Sequence, residues 1–185
     1  MGGNAHTEYS FFENIIVIFG MFVMNKGDSP QTHKILRWAG DRLISTSTLG
    51  STKSSLLRLI NHIIKSNLGL GTLKEAINHS PMIYEIIQRS LYDTQSDNKL
   101  ICIDCLNELV KLCPKMELHD LLESYPSIVE AIASSLTLLN LNVVVASLGS
   151  IGKIIMLRPD DPNIRDMLCD RGFKTELESL QYSKN

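Results

Sequence analysis

Residues 73–87 read LKEAINHSPMIYEII, and residues 118–132 read LHDLLESYPSIVEAI. The second stretch lies on the first at a constant offset of 45 residues, so that apolar positions coincide and Pro81 falls on Pro126. The correspondence extends without a gap from 72–114 to 117–159. A period of about 40–47 residues built from helices is typical of a stacked helical repeat, in which each unit leaves an apolar face for its neighbour to cover. The stretch therefore predicts a repeat architecture with an extended binding surface.

A third copy of the repeat lies upstream, because 53–66 aligns with 99–112 at an offset of 46 residues. Each unit contains a short, a medium and a long predicted helix, which resembles the armadillo plan. We therefore predict an all-α fold, an armadillo-like right-handed superhelical solenoid of stacked three-helix repeats. Neither end shows a polar capping unit, so we expect the chain to be part of a longer solenoid. The units are a partial repeat at 1–27, repeats at 28–69, 70–114 and 115–159, and a partial repeat at 160–185.

Helix boundaries are predicted from start signals. Ser10 with Glu13 and Thr72 with Glu75 have the capping-box spacing, and Ser80 precedes a proline that suits a first helical turn. The predicted helices span 11–25, 53–66, 72–79, 81–92, 98–113, 117–124, 126–138, 142–157 and 162–169, with another that opens at Pro30 and a last one that carries Phe173, Leu177 and Leu180.

The most apolar segment runs from Phe11 to Met24. It is shorter than the roughly 20 residues that cross a bilayer, so we predict no membrane span. No basic segment precedes it, and no small-residue cleavage site follows it, which argues against a signal peptide. We expect a helix that is buried on nearly all sides between neighbouring repeats.

Composition narrows the choice of partners. Apolar residues make up 44% of the chain, which is enough for a packed core. Lys and Arg number 18 against 20 Asp and Glu, so the net charge of -2 supplies no broad cationic field for nucleic acid. The expected partner is therefore a protein.

The four cysteines, Cys102, Cys105, Cys113 and Cys169, lie within or beside predicted helices. That placement suits reduced thiols in a cytoplasmic or nuclear protein. Cys102 and Cys105 form a C-x-x-C pair, but a structural zinc site normally joins two such pairs through a turn. We interpret these cysteines as small buried side chains and predict no metal site.

Two glycine-containing segments resemble phosphate-binding motifs only in part. The segment 149–153, Gly-Ser-Ile-Gly-Lys, lacks the preceding strand, the upstream glycine and the Ser or Thr that a phosphate-binding loop needs after its lysine. The repeat places it inside a long helix. The segment 69–71, Gly-Leu-Gly, is too short for a dinucleotide motif and reads as a link between helices. We therefore expect no cofactor and no catalytic residue, and we predict that the protein is not an enzyme.

The third, long helix of each unit should line the concave face of the solenoid, and its exposed positions are the candidate partner contacts. Stepping by helical turns along three such helices selects residues of alternating charge, which favours contact with a protein that bears mixed charges. The alternative is an ordinary solvated helix surface. The selected residues are Arg58, His62, Lys65, Asp104, Glu108, Lys111, Lys153 and Met156.

The sequence shows two family resemblances. The stretch from Asn163 to Gly172 resembles the armadillo pattern of a short helix followed by glycine. The stretches 123–130, ESYPSIVE, and 144–152, VVASLGSIG, followed by Met167 and Leu168, are similar to the central region of the proteasome non-ATPase regulatory subunit 5 family. This resemblance implies a chaperone for assembly of the proteasomal base that holds the C-terminal domain of an ATPase subunit. The matched residues are mostly structural, so the resemblance assigns no contact residue.

Two other functional readings are weighed against this one. Nuclear import receptors place an Asn ladder where this chain has His62, Glu108 and Lys153, so a groove for localisation signals is disfavoured. The alternative that stays open is a generic armadillo or HEAT scaffold in membrane trafficking or cytoskeletal assembly.

Overall fold

The structure is a computed structural model, and it describes residues 4–46, 48, 50–66, 69–138, 140–169, 174, 175 and 178, with side chains from residue 13 onward except those of 163, 167 and 168. Every regular element in these residues is helical, which confirms the predicted all-α class. The predicted residues Gly172, Phe173, Leu177 and Leu180 lie outside the described part. The helices are α1 (Asn4–Lys26), α2 (Pro30–Ile44), α3 (Gly50–Ser66), α4 (Leu70–Asn78), α5 (Ser80–Tyr92), α6 (Ser96–Leu112), α7 (Lys115–Ser124), α8 (Ser127–Ala133), α9 (Leu141–Leu157) and α10 (Pro162–Cys169).

Most predicted boundaries are close to those in the structure. Pro30 opens α2, and the backbone N–H of Thr32 donates to the Ser29 hydroxyl at 3.2 Å, as an N-cap requires. The medium helix predicted at 126–138 is shorter than expected, because its last turn, Ser134–Thr137, tightens into a 3-10 helix.

Two predicted capping boxes are wrong. The first helix begins at Asn4, so Ser10 lies inside it. Glu13 instead accepts a hydrogen bond from the Ser55 hydroxyl of α3. In the second case α4 begins at Leu70, and Glu75 accepts from Arg37 Nε of α2 at 2.8 Å. Both glutamates therefore bind a neighbouring helix instead of their own helix start.

The start of α5 also differs from the prediction. His79, not Ser80, is the N-cap, and its Nδ1 accepts from the backbone N–H of Met82 at 3.3 Å. Its Nε2 then faces Asp41 Oδ1 of α2 at 3.0 Å. The imidazole of His79 thus caps the N-terminus of α5 and contacts α2.

The long helices and the medium helices form two rows, each in the order of the sequence. The long helices form a row in which α1 packs on α3, α3 on α6, and α6 on α9. The medium helices α2, α5 and α8 pack on one another in the same order, and each also packs on the long helix that follows it. One apolar cluster joins these helices, with Leu57, Leu106 and Ile132 among its fully buried members.

The expectation that α1 is buried on nearly all sides is wrong for the described chain. Ile16 and Val23 are buried against the core, but Ile18 and Met21 are 61% and 57% exposed. The reason is that α1 packs chiefly on α3 and only weakly on α2. One side of this apolar helix therefore remains uncovered.

Candidate partner-binding face

The predicted contact residues occupy α3, α6 and α9, and two of them meet across helices. Lys65 Nζ of α3 lies 2.5 Å from Asp104 Oδ2 of α6. The same carboxylate oxygen accepts from Asn61 Nδ2 at 2.8 Å. The exposed positions of α3 and α6 thus form one continuous surface. We call the eight predicted residues on this surface and on α9 the charged face.

Lys153 connects α9 to the same surface. Its ammonium group donates to the backbone carbonyls of Val110, Lys111 and Cys113, at 2.8, 2.9 and 2.7 Å. These carbonyls lie at the C-terminal end of α6, where the last turn of a helix leaves acceptors without a partner and where a positive charge is favoured. Lys153 therefore acts as a helix cap for the preceding long helix, and all three of its donors are occupied.

The remaining members of the charged face differ in their exposure to solvent and in their side-chain partners. Arg58 is exposed, and Met156 is 87% exposed. Lys111 is exposed and pairs with Glu108 on its own helix at 3.2 Å. The ring of His62 is half-buried and lies within 3.5 Å of the Ser66 hydroxyl. Arg58, Lys111 and Met156 are therefore the members best placed to contact a partner.

Sequence reasoning missed two amides between the long helices. Asn107 is buried and donates from Nδ2 to the Ser147 hydroxyl of α9 at 2.8 Å, while Asn61 occupies the equivalent position of α3. The Oδ1 atoms of both amides are buried without a hydrogen-bond partner. The signal was the recurrence of Asn at an offset of 46 residues inside otherwise apolar helix faces. Each amide contacts the next long helix and so fixes the register between neighbours.

Cys102, Cys105 and Cys113 are buried as predicted, whereas the predicted burial of Cys169 is wrong, because its thiol is exposed at the end of α10. Burial raises the pKa of Cys102 to about 12 and that of Cys113 to about 11, and it also raises the pKa of Cys105. These side chains are therefore thiols and not thiolates at neutral pH. A thiol is a poor nucleophile and a poor metal ligand. Within the described residues, no cluster of three or more His, Cys, Asp or Glu side chains could hold a metal ion.

A cleft of about 320 Å³ lies between α7, α8 and α10. Apolar residues such as Leu122 and Ile164 line it, together with Glu130 and Arg158. The Arg158 guanidinium donates to the carbonyl of His119 at 2.8 Å and to Glu123 at 2.7 Å. Its charge is therefore used to hold α7 against the end of α9, and the described lining contains no paired nucleophile and base.

The segment 149–153 lies within α9, as the repeat predicted. No strand precedes it in the described chain, so it does not form a phosphate-binding loop. None of the described helices is both long enough and apolar enough to span a membrane. No protein-family model matches the chain, and neither a curated protein nor a solved structure is found to be similar to it.

Proposed function

We propose that this chain is a non-enzymatic protein-binding scaffold that uses the charged face to hold a protein partner. The proposal includes an armadillo-like right-handed solenoid of stacked three-helix repeats as the architecture. Its sharper form is a chaperone for assembly of the proteasomal base that binds the C-terminal domain of an ATPase subunit. The sequence resemblance supports this sharper form.

One observation carries the proposal. Side chains from three successive long helices meet on one surface, because Lys65 of α3 binds Asp104 of α6 and Lys153 of α9 binds the end of α6. A solenoid would produce this arrangement, since each unit repeats the position of the last. The 45-residue period and the chain-order packing of the long helices agree with it.

The chemistry of the charged face suits a partner surface with both acidic and apolar groups. Arg58 and Lys111 offer exposed cations, and Met156 offers a flexible apolar side chain. Charged contacts of this kind determine orientation and specificity more than affinity.

The test is a binding titration of the full chain against isolated C-terminal domains of proteasomal ATPase subunits. Arg58→Glu and Lys111→Glu should each weaken binding about tenfold, which corresponds to ~1.4 kcal/mol. Lys74→Glu is the matched control, because Lys74 is an exposed cation on α4, outside the charged face. If no ATPase domain binds, the sharper form fails. If the control weakens binding as much as the two variants do, the charged face is the wrong surface.

A second candidate function is a scaffold in membrane trafficking or cytoskeletal assembly. The observation that favours it is the uncovered apolar side of α1, where Val17 and Met24 are 53% and 62% exposed. Affinity purification of the chain from cells, followed by mass spectrometry, separates the two functions. Recovery of proteasomal ATPase subunits supports the chaperone, whereas recovery of coat or cytoskeletal components supports the alternative.

A further inference from the structure

The cleft between α7, α8 and α10 combines an apolar lining with an acidic side chain, and we call it the Glu130 cleft. Leu122 and Ile164 are buried and line it, and Val129 adds a half-buried apolar side chain. Glu130 is exposed and lines the same cleft. The volume of about 320 Å³ is at the lower end of the range for binding pockets in proteins, so the cleft has room for one long side chain.

Glu130 differs from the other acids near the cleft because its charge is not balanced. Asp161 also lines the cleft, and it pairs with Arg158 at 3.3 Å. The Arg158 guanidinium also binds Glu123 at 2.7 Å, so two carboxylates already balance its charge. Within the described part of the chain, no cationic side chain forms an ion pair with Glu130. A cation that enters the cleft would therefore meet a free carboxylate and no excess of positive charge.

The preceding repeat shows which cation this acid pairs with. Glu85 of α5 lies 45 residues before Glu130 of α8 and occupies the equivalent position. Arg89 donates from Nε to Glu85 Oε1 at 2.8 Å, and both side chains are partly buried. The residue equivalent to Arg89 is Ser134, whose hydroxyl donates to the Ala131 carbonyl at 2.7 Å. The later repeat therefore has the acid of this pair but not its arginine.

An adjoining cleft adds to the negative charge. It shares Leu122 and Arg158 with the Glu130 cleft, and Asp160 lines it with an exposed carboxylate. An excess of carboxylates at a cleft attracts cationic groups and repels anionic ones. The described lining of the two clefts has four carboxylates and one guanidinium, which belong to Glu123, Glu130, Asp160, Asp161 and Arg158.

We propose that the Glu130 cleft binds an arginine side chain of a protein partner. The guanidinium pairs with the Glu130 carboxylate, as Arg89 does with Glu85 in the preceding repeat. The methylene groups of the arginine lie against Leu122 and Ile164, because such a stem buries well on an apolar surface. Arginine suits this site better than lysine, since its planar group presents two donors to one carboxylate and is less strongly hydrated.

This inference goes beyond the proposed function. The charged face lies on α3, α6 and α9, and we expect it to contact acidic and apolar groups of a partner, whereas the Glu130 cleft selects a basic group. The two proposals are tested with different variants and different ligands. Either can therefore fail without the other.

The test is an NMR titration of the isotope-labelled full chain with two blocked tripeptides, acetyl-Leu-Arg-Leu-amide and acetyl-Leu-Gln-Leu-amide. The arginine peptide should shift the backbone amide signals of Val129, Glu130 and Ile164 saturably. Its dissociation constant should be on the order of 1 mM, because one side chain supplies most of the contact. The glutamine peptide should bind about tenfold more weakly, since it cannot form the charge-assisted hydrogen bonds.

Glu130→Gln should weaken binding of the arginine peptide about tenfold, because it removes the charge and keeps the shape of the side chain. Asp120→Asn is the matched control, since Asp120 is an exposed acid on α7 that lines neither cleft. It changes the net charge by the same amount and should bind the peptide like the wild type. Circular dichroism should show equal helix content in both variants.

Three outcomes would overturn the proposal. The first is equal binding of the two peptides, or no saturable shift at Val129 and Ile164. The second is unchanged affinity in Glu130→Gln. The third is an equal loss of affinity in Asp120→Asn, which would mean that the net charge of the chain attracts the peptide and the cleft does not.

Discussion

The start of α4 and the end of α6 are both closed by a side chain that lies about one repeat length away in the sequence. Asp28 accepts from the backbone N–H groups of Gly71 and Thr72 at 3.1 and 2.9 Å, and Lys153 donates to three carbonyls of α6. An acid at a helix start and a base at a helix end match the partial charges there. Helices that are distant in the sequence are thus joined by side-chain caps as well as by apolar packing.

We call the contact of Asp28 with the start of α4 the α4 joint, and the contact of Lys153 with the end of α6 the α6 joint. The two joints differ in how much space surrounds their glycines. A Cβ on Gly69 would overlap the Asp28 carboxylate, and one on Gly71 would lie 2.8 Å from His33 Cε1. Gly149 and Gly152, beside Lys153 on α9, have open space instead. Glycine is therefore required at the α4 joint, whereas a larger residue fits beside Lys153 at the α6 joint.

The largest expected effect is at the α6 joint. Lys153→Met should lower the free energy of unfolding by about 2 kcal/mol, because three charge-assisted hydrogen bonds are lost. Lys111→Met is the control, since its side chain is 68% exposed and pairs only within α6. Urea unfolding monitored by circular dichroism measures both. Equal losses would show that Lys153 is an ordinary surface lysine.

Crowding at the α4 joint gives the next effect. Gly69→Ala should destabilise the protein by about 1–2 kcal/mol, because the new methyl group must displace Asp28 from its cap. The double variant Gly69→Ala, Asp28→Ala should lose little more than either single variant. Additive losses in urea unfolding would mean that Gly69 acts independently of the cap.

A third prediction concerns pH at the α4 joint. Partial burial raises the pKa of Asp28, but hydrogen bonds from His33, Thr72 and Gly71 outweigh it and hold the pKa below the usual 3.8. The cap should therefore stabilise the protein fully above that value, and the contribution should disappear as the pH falls through the lowered pKa.

Asp28→Asn measures this contribution. The variant should be less stable than the wild type by ~1 kcal/mol at neutral pH, as is typical of an N-cap. The difference should shrink in acid, where the wild-type carboxyl is protonated and resembles the amide. Thermal unfolding at a series of pH values checks this prediction, and a difference independent of pH would contradict it.

The smallest effect has the opposite sign. Gly152→Ala should stabilise the isolated chain by about 0.5–1 kcal/mol, because alanine restricts the unfolded backbone and this position has room for a methyl group. Thermal unfolding of the variant and the wild type measures this difference. A loss of stability would show that a methyl group at position 152 has less room than the structure indicates.

Periodicity predicted the helices well, because the spacing of apolar residues within a helix depends only on residues three or four positions apart. The predicted caps failed where their partners are distant. Thr72 and Glu75 satisfy the capping-box spacing by coincidence, while the side chain that caps α4 is that of Asp28, which lies just before α2. Likewise Lys153 was predicted as a partner contact on helical spacing alone, and nothing in that spacing indicates the α6 carbonyls.

The sequence by itself determined that this chain is helical, where most of its helices lie approximately, and that three of its four thiols are buried, since these follow from patterns within one or two helical turns and from the 45-residue period. The tertiary structure decided which charges are free and which close a helix end. It also decided that one side of α1 stays in water. The physical reason is that the hydrogen-bond partner of a polar side chain can lie about one repeat length away in the sequence. The two groups meet only in the folded chain, so a local sequence pattern does not predict the pair.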